Sequence, residues 1–166
     1  MNSLPPLLDM AIWGLAGTIS MTGILFAANG LGLSRLSIPF LVGGIFTANR
    51  QWANLIGFAL YLVGGWGFAL FYFLFFSSIG IYSWWIGAAV GFLHGLFLLV
   101  AALPLMPFVH PRMASSYDAP VARPQLEPPG FLGLHYGGGT PAAVLAAQII
   151  YGTVLGGLPQ LGLTAP

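Results

Sequence analysis

Ser83-Trp-Trp-Ile-Gly-Ala-Ala-Val-Gly-Phe-Leu-His-Gly-Leu-Phe-Leu-Leu-Val-Ala-Ala-Leu-Pro-Leu-Met-Pro-Phe108 runs from 83 to 108 without a formal charge, and Val109-His-Pro-Arg-Met113 follows it. A helix rises 1.5 Å per residue, so this stretch is long enough to cross a hydrocarbon layer of roughly 30 Å. One imidazole, His94, stands at its middle, and Gly87, Gly91 and Gly95 recur every fourth residue. Four-spaced glycines form a flat stripe on which a second helix can lie close. The stretch reads as the central span of a small integral membrane protein. Pro104 and Pro107 are expected to kink or end it.

Composition points the same way. The chain has 166 residues, of which 58% are hydrophobic and 4% charged, with a mean hydropathy of +0.91. Soluble domains carry about 25% charged residues, so the outer surface here must face lipid or apolar protein. The cations are Arg35, Arg50, Arg112 and Arg123, and the anions are Asp9, Asp118 and Glu127. A formal net charge of +1 offers no basic face for nucleic acid, which needs stripes of Lys and Arg. The absence of cysteine excludes disulfides and thiolate ligands. The N-terminus lacks the positive region of a signal peptide, so the first apolar run is read as a retained span.

Working outward gives spans at about 7–28, 53–78, 83–108 and 140–158. Together they form an all-α bundle in a single membrane domain over 1–166, with a cytoplasmic loop at 109–139. Span one is rich in small and hydroxyl residues, among them Gly14, Gly17, Thr18, Ser20 and Thr22. Such hydroxyls can bond back to carbonyls four residues earlier. Between spans one and two, the apolar piece 36–47 is too short to cross and reads as a short interfacial helix or re-entrant turn, with Ser37 as cap and Pro39 in the first turn. Span two is aromatic, interrupted by Gly57, Gly64, Gly65 and Gly67. Trp84 and Trp85 suit the interfacial aromatic belt. Span four starts at a Thr140 cap followed by Pro141, and carries a second four-spaced pair, Gly152 and Gly156. All four arginines fall in the first and third connections. The positive-inside bias therefore puts both termini outside, and the expected setting is a bacterial inner membrane.

The polar residues of the spans are the candidate sites. His94 projects from nearly the same face as Gly87 and Gly91 by the 3.6-residue period. Thr18, Tyr61 and Gln148 lie at comparable depth in their own spans, so the four are expected to form a polar mid-membrane layer. His94 reads either as an interhelical hydrogen-bond partner or as the ligand of a haem, chlorophyll-type pigment or quinone. Met106, His110, Met113 and His135 include copper-type ligand residues, but their spacing does not make a metal site. His110 and Arg112 are expected at the interface, with Arg112 meeting a lipid phosphate or a partner's carboxylate. The glycine-rich 131–139 lacks the lysine and the strand–loop–helix setting of a phosphate loop. No catalytic grouping appears, so the chain is not expected to be an enzyme.

Gly14-Leu-Ala-Gly-Thr-Ile-Ser-Met-Thr22, Gly91-Phe-Leu-His-Gly95, His110-Pro-Arg-Met113 and Gly133-Leu-His-Tyr-Gly-Gly-Gly-Thr-Pro141 resemble an uncharacterised family of small four-span bacterial membrane proteins. The resemblance implies the architecture and no activity. Members often carry histidines in spans two and four, where Tyr61 and Gln148 stand in this chain. The leading functional expectation is a structural one: an accessory subunit, or self-associating scaffold, that packs against larger membrane proteins. The alternatives are a pigment-, haem- or quinone-binding protein using His94, and a small transporter or channel.

Overall fold

A computed structural model describes residues 6–114 and 125–157. Asp118, Arg123 and the tail from 158 onward lie outside the described residues. In chain order the elements are α1 (Pro6–Gly30), α2 (Ile38–Gly44), α3 (Arg50–Ile79), α4 (Trp84–Phe97), a π turn (Leu98–Ala102), α5 (Leu103–Val109), a 3₁₀ turn (Phe131–Tyr136) and α6 (Thr140–Gly157). Met10–Gly30, Arg50–Ile79, Trp84–Val109 and Thr140–Gly157 are long and apolar enough to cross a membrane. Among the described residues the protein is all-α with four such helices. The one extended pairing among the described residues is an isolated bridge between Met113 and Leu126.

Burial follows the helical period. On α3 the covered residues are Ala53, Gly57, Tyr61, Gly65, Ala69, Tyr72 and Phe76, spaced three or four apart, while Val63, Phe71 and Leu74 stand exposed. Exposed apolar side chains are the proper surface of a helix in lipid. Helices there gain nothing from leaving water, and association rests on close packing and hydrogen bonds. Three hydroxyl groups bond back within their own helix: Thr18 donates to the Gly14 carbonyl at 2.7 Å, Ser20 to Ala16 at 2.9 Å and Thr153 to Ile149 at 2.8 Å.

The third span does not end at its prolines. Its backbone widens into the π turn, where Leu103 N–H reaches the Leu98 carbonyl, and Pro104 then falls in the first turn of α5. That position needs no N–H, so the proline is tolerated there. The helix stops at Val109. His110 is extended (φ −88°, ψ 115°), as a residue before proline must be.

The chain divides into two compact units, and the boundary falls inside each of the four spans. The first unit lies within Met1–Ile24, Leu62–Gly95 and Leu145–Pro166. In it α4 and α6 run antiparallel at backbone contact. A Cβ at Gly87 would overlap the Gly152 carbonyl, one at Gly152 the Gly87 carbonyl, and one at Gly91 the Gln148 carbonyl. The α1–α3 contact is of the same kind: Gly65 faces the Thr18 side chain, and Gly14 faces Ala69 and Trp66. Trp66 also donates from Nε1 to the Ala11 carbonyl at 3.0 Å.

The second unit comprises Leu25–Tyr61 and Leu96–Val144. Here α2 lies directly on the start of α3, with Gly43 against the Ala53 carbonyl and Gly57 against the Pro39 carbonyl. Ser37 caps α2 by accepting from Phe40 N–H at 3.4 Å. The His110-Pro-Arg stretch closes the other end of α2. Arg112 N–H donates to His110 Nδ1 at 3.2 Å, which leaves the neutral ring its proton on Nε2 for the Leu41 carbonyl at 3.0 Å. Arg112 Nη1 donates to the Gly44 and Ile45 carbonyls at 2.6 and 2.8 Å, a cation at a helix C-terminus where it is favoured.

The glycine-rich return is equally well tied. Gly130 and Gly133 hold φ of +70°, and Leu132 takes the same left-handed region at φ +55°. Thr140 does not use its hydroxyl as the expected cap of α6. That hydroxyl pairs with Ser34 Oγ at 2.8 Å, and both groups are buried. Arg35 pairs with Glu127 at 3.3 Å and donates to the His135 carbonyl at 2.6 Å. Tyr136 O–H donates to the Glu127 backbone carbonyl at 2.5 Å. Burial holds its hydroxyl well above the usual tyrosine range, the Glu127 carboxylate adds to the rise, and Arg35 opposes it.

Candidate functional site around His94

His94 lies in the first unit, where α4 brings it against α3. Its ring sits 4.3 Å from that of Phe68, centroid to centroid, at 37°. Nδ1 is 3.5 Å from the Tyr72 hydroxyl, a long hydrogen bond. Tyr151 of α6 presents its edge to both rings, at 5.4 Å from Tyr72 and 6.5 Å from His94. The Tyr151 hydroxyl donates to the Gly65 carbonyl at 2.5 Å, and its ring lies 3.0 Å from where a Cβ of Gly17 would be. Gly17 of α1 thus admits the Tyr151 ring beside the imidazole.

Two polar atoms at this level are unpaired. His94 Nε2 and Gln148 Oε1 are buried and have no hydrogen-bond partner among the described residues. Gln148 Nε2 donates to the Met21 sulfur at 3.2 Å, a weak acceptor. Its backbone lies beside Gly91 and its Cβ would be 3.2 Å from one on Gly95.

Three residues of the anticipated polar layer are bonded to different partners in the first unit. Thr18 is bonded within α1, Gln148 to Met21 and His94 to Tyr72. Tyr61 belongs to the second unit. The four-spaced glycines of the third and fourth spans all lie at contacts: Gly87, Gly91, Gly95 and Gly152 as described, and Gly156 against the Ser83 carbonyl with Phe76 at 2.9 Å. Sequence reading missed Tyr72 and Phe68 as the neighbours of His94. The missed signal is the three-or-four spacing on α3, which places Tyr72 in line with Gly65 and Ala69.

Of the expected interface pair, His110 is buried at 3% exposure, and Arg112 donates to backbone carbonyls of the α2 end. The Met106, His110, Met113 and His135 group is engaged elsewhere: the His110 ring with Leu41 and the His135 ring with the Pro128 carbonyl at 2.9 Å. No cluster of three or more His, Cys, Asp or Glu suited to a metal ion occurs among the described residues.

A haem or chlorophyll ligand needs a nitrogen open to the metal at the face of a broad macrocycle. His94 Nδ1 faces Tyr72, and Nε2 is buried without a partner among the described residues. The fold defines a class, the all-α four-span membrane proteins. No protein-family model, curated protein or solved structure matches this chain.

Proposed function

We propose that this chain is a small accessory or scaffolding subunit, packing its spans against larger membrane proteins or against itself, with no chemical step of its own. The observation that carries this reading is on α3. Gly57 and Gly65 are filled by neighbouring helices, whereas Gly64 and Gly67 have nothing within 4 Å of a would-be Cβ. A glycine facing lipid costs a helix about 1 kcal/mol relative to alanine and offers nothing to the acyl chains. At a helix–helix contact the same residue lets backbones meet. Exposed Val63 and Phe71 flank the two open glycines, which makes a shallow seat for another helix.

The test is purification from native membrane after cross-linking, comparing wild type with Gly64→Ile/Gly67→Ile. The double variant is expected to keep its fold and lose association about tenfold, equivalent to about 1.4 kcal/mol. Unchanged association would remove the reading.

Orientation belongs to the same proposal. Arg35, Arg50 and Arg112 all lie in the second unit, which supports placing their connections on one, cytoplasmic, side with both termini outside. The likeness to small four-span bacterial proteins supports an inner-membrane setting. A C-terminal reporter active in the cytoplasm would contradict this topology.

A further inference from the structure

We propose that His110 is a proton-operated latch: the neutral ring ties the C-terminal end of α2 to the turn after the third span, and protonation releases it. This does not rest on the accessory-subunit reading. The ring is 3% exposed. Its Nδ1 accepts from Arg112 N–H at 3.2 Å, and its Nε2 donates to the Leu41 carbonyl at 3.0 Å. The two nitrogens therefore do opposite tasks, which only a neutral imidazole can do. An imidazolium carries an N–H on both nitrogens. The added proton would face the Arg112 N–H, donor against donor, and part His110 from Arg112. Arg112 is also the residue whose side chain holds the Gly44 and Ile45 carbonyls, so both ties on the end of α2 hang from one short turn.

The surrounding charges act in the same direction. Among the described residues, the charged groups on the elements packed about the ring are Arg112, Arg50 and Glu127. Arg50 of α3 lies over the Phe40 ring of α2, 5.9 Å from its centre. Glu127 follows Leu126, whose side chain and His110 Nε2 both come within 3.3 Å of where a Cβ of Gly44 would be. That carboxylate is engaged by Arg35 at 3.3 Å. The remaining titratable groups, Tyr136 and His135, bond the Glu127 and Pro128 carbonyls. An imidazolium here gains two cations as neighbours and no unengaged carboxylate, and a buried charge without a partner is costly.

The release is local. Gly43 stays against the Ala53 carbonyl and Gly57 against the Pro39 carbonyl, so α2 keeps its seat on α3. What comes free is its end, where Ile45 and Phe46 are 37% and 60% exposed. The released form holds one proton more than the latched form. The latch is therefore complete at high pH and lost as pH falls. The ratio of released to latched molecules rises by up to about tenfold per pH unit, the slope of one proton.

The chain has no cysteine, so a single spin label can be placed at Phe46→Cys in the full chain in lipid nanodiscs. Its mobility is followed from about pH 8 to about pH 5, the range in which histidine ordinarily changes charge. Nitrogen-15 histidine spectra of the same protein report the His110 ring, identified by the signal that His110→Gln lacks. The expected result is an immobile label with Nε2 alone protonated at the upper end, and a mobile component that grows as Nδ1 gains its proton. His110→Gln keeps a donor and an acceptor but takes up no proton in this range, and its label is expected to stay immobile throughout. A ring that stays neutral down to the lower end overturns the proposal. So does a ring that gains its second proton without any change at the label, or a mobility change that survives in His110→Gln.

Discussion

Gly91→Leu is expected to destabilise the protein by about 3 kcal/mol, the upper end of what overpacking costs. The first added carbon already overlaps the Gln148 carbonyl and comes within 3.0 Å of the Ile149 Cα. These obstacles are backbone, so no rotamer change relieves them, and α4 and α6 must part along the whole Gly87–Gly152 contact. The same substitution at Gly64 meets nothing and should stay within about 0.5 kcal/mol. Titrating both variants with denaturing detergent and following helix content checks the contrast. Equal midpoints would mean that the glycine stripe does not hold these helices together.

Arg112→Met should cost about 2 kcal/mol and loosen α2 selectively. Methionine keeps the stem but loses both bonds to the Gly44 and Ile45 carbonyls. Charge-assisted hydrogen bonds contribute about 1.5–3 kcal/mol when buried, and Arg112 is half-buried, so the lower part of that range applies. Arg35→Met is the comparison. Its ion pair with Glu127 is 67% exposed on the arginine side, and pairs of that kind contribute about 1 kcal/mol or less. Amide exchange over 40–47 should accelerate markedly in Arg112→Met and hardly in Arg35→Met. Equal exchange in the two proteins would show that α2 is held by its glycine contacts with α3 alone.

The four spans were legible because length and apolarity alone decide them. Their ends were less so: α3 begins at Arg50, ahead of the apolar run, because Asn49 Oδ1 accepts from Gln51 and Trp52 N–H and caps the helix. The Ser37 cap and Pro39 placed α2 correctly, since both act within one turn. What could not be read depends on residues far apart in sequence. Nothing near Arg112 announces carbonyls 67 and 68 residues away, and an arginine after a span suits lipid phosphate just as well. Likewise Gly64 and Gly65 are adjacent letters, yet one is open and the other filled by Thr18. Only the period of the whole helix separates them. His94 was visible as a polar residue in mid-span, but its partner was sought on Thr18, Tyr61 or Gln148. The hydroxyl that meets it belongs to Tyr72, which an aromatic-rich sequence does not distinguish from its neighbours.

The bridge between Met113 and Leu126 has a consequence for how this chain can vary. Ala114 N–H donates to the Leu126 carbonyl at 2.9 Å and Leu126 N–H to the Arg112 carbonyl at 2.7 Å, so 112–114 and 126 are tied backbone to backbone. That tie sits next to Arg112, which clamps α2, and next to Glu127, which pairs with Arg35. Leu126→Pro removes the N–H that reaches Arg112 and is therefore expected to be felt at both places, whereas a substitution that keeps the N–H leaves the tie intact.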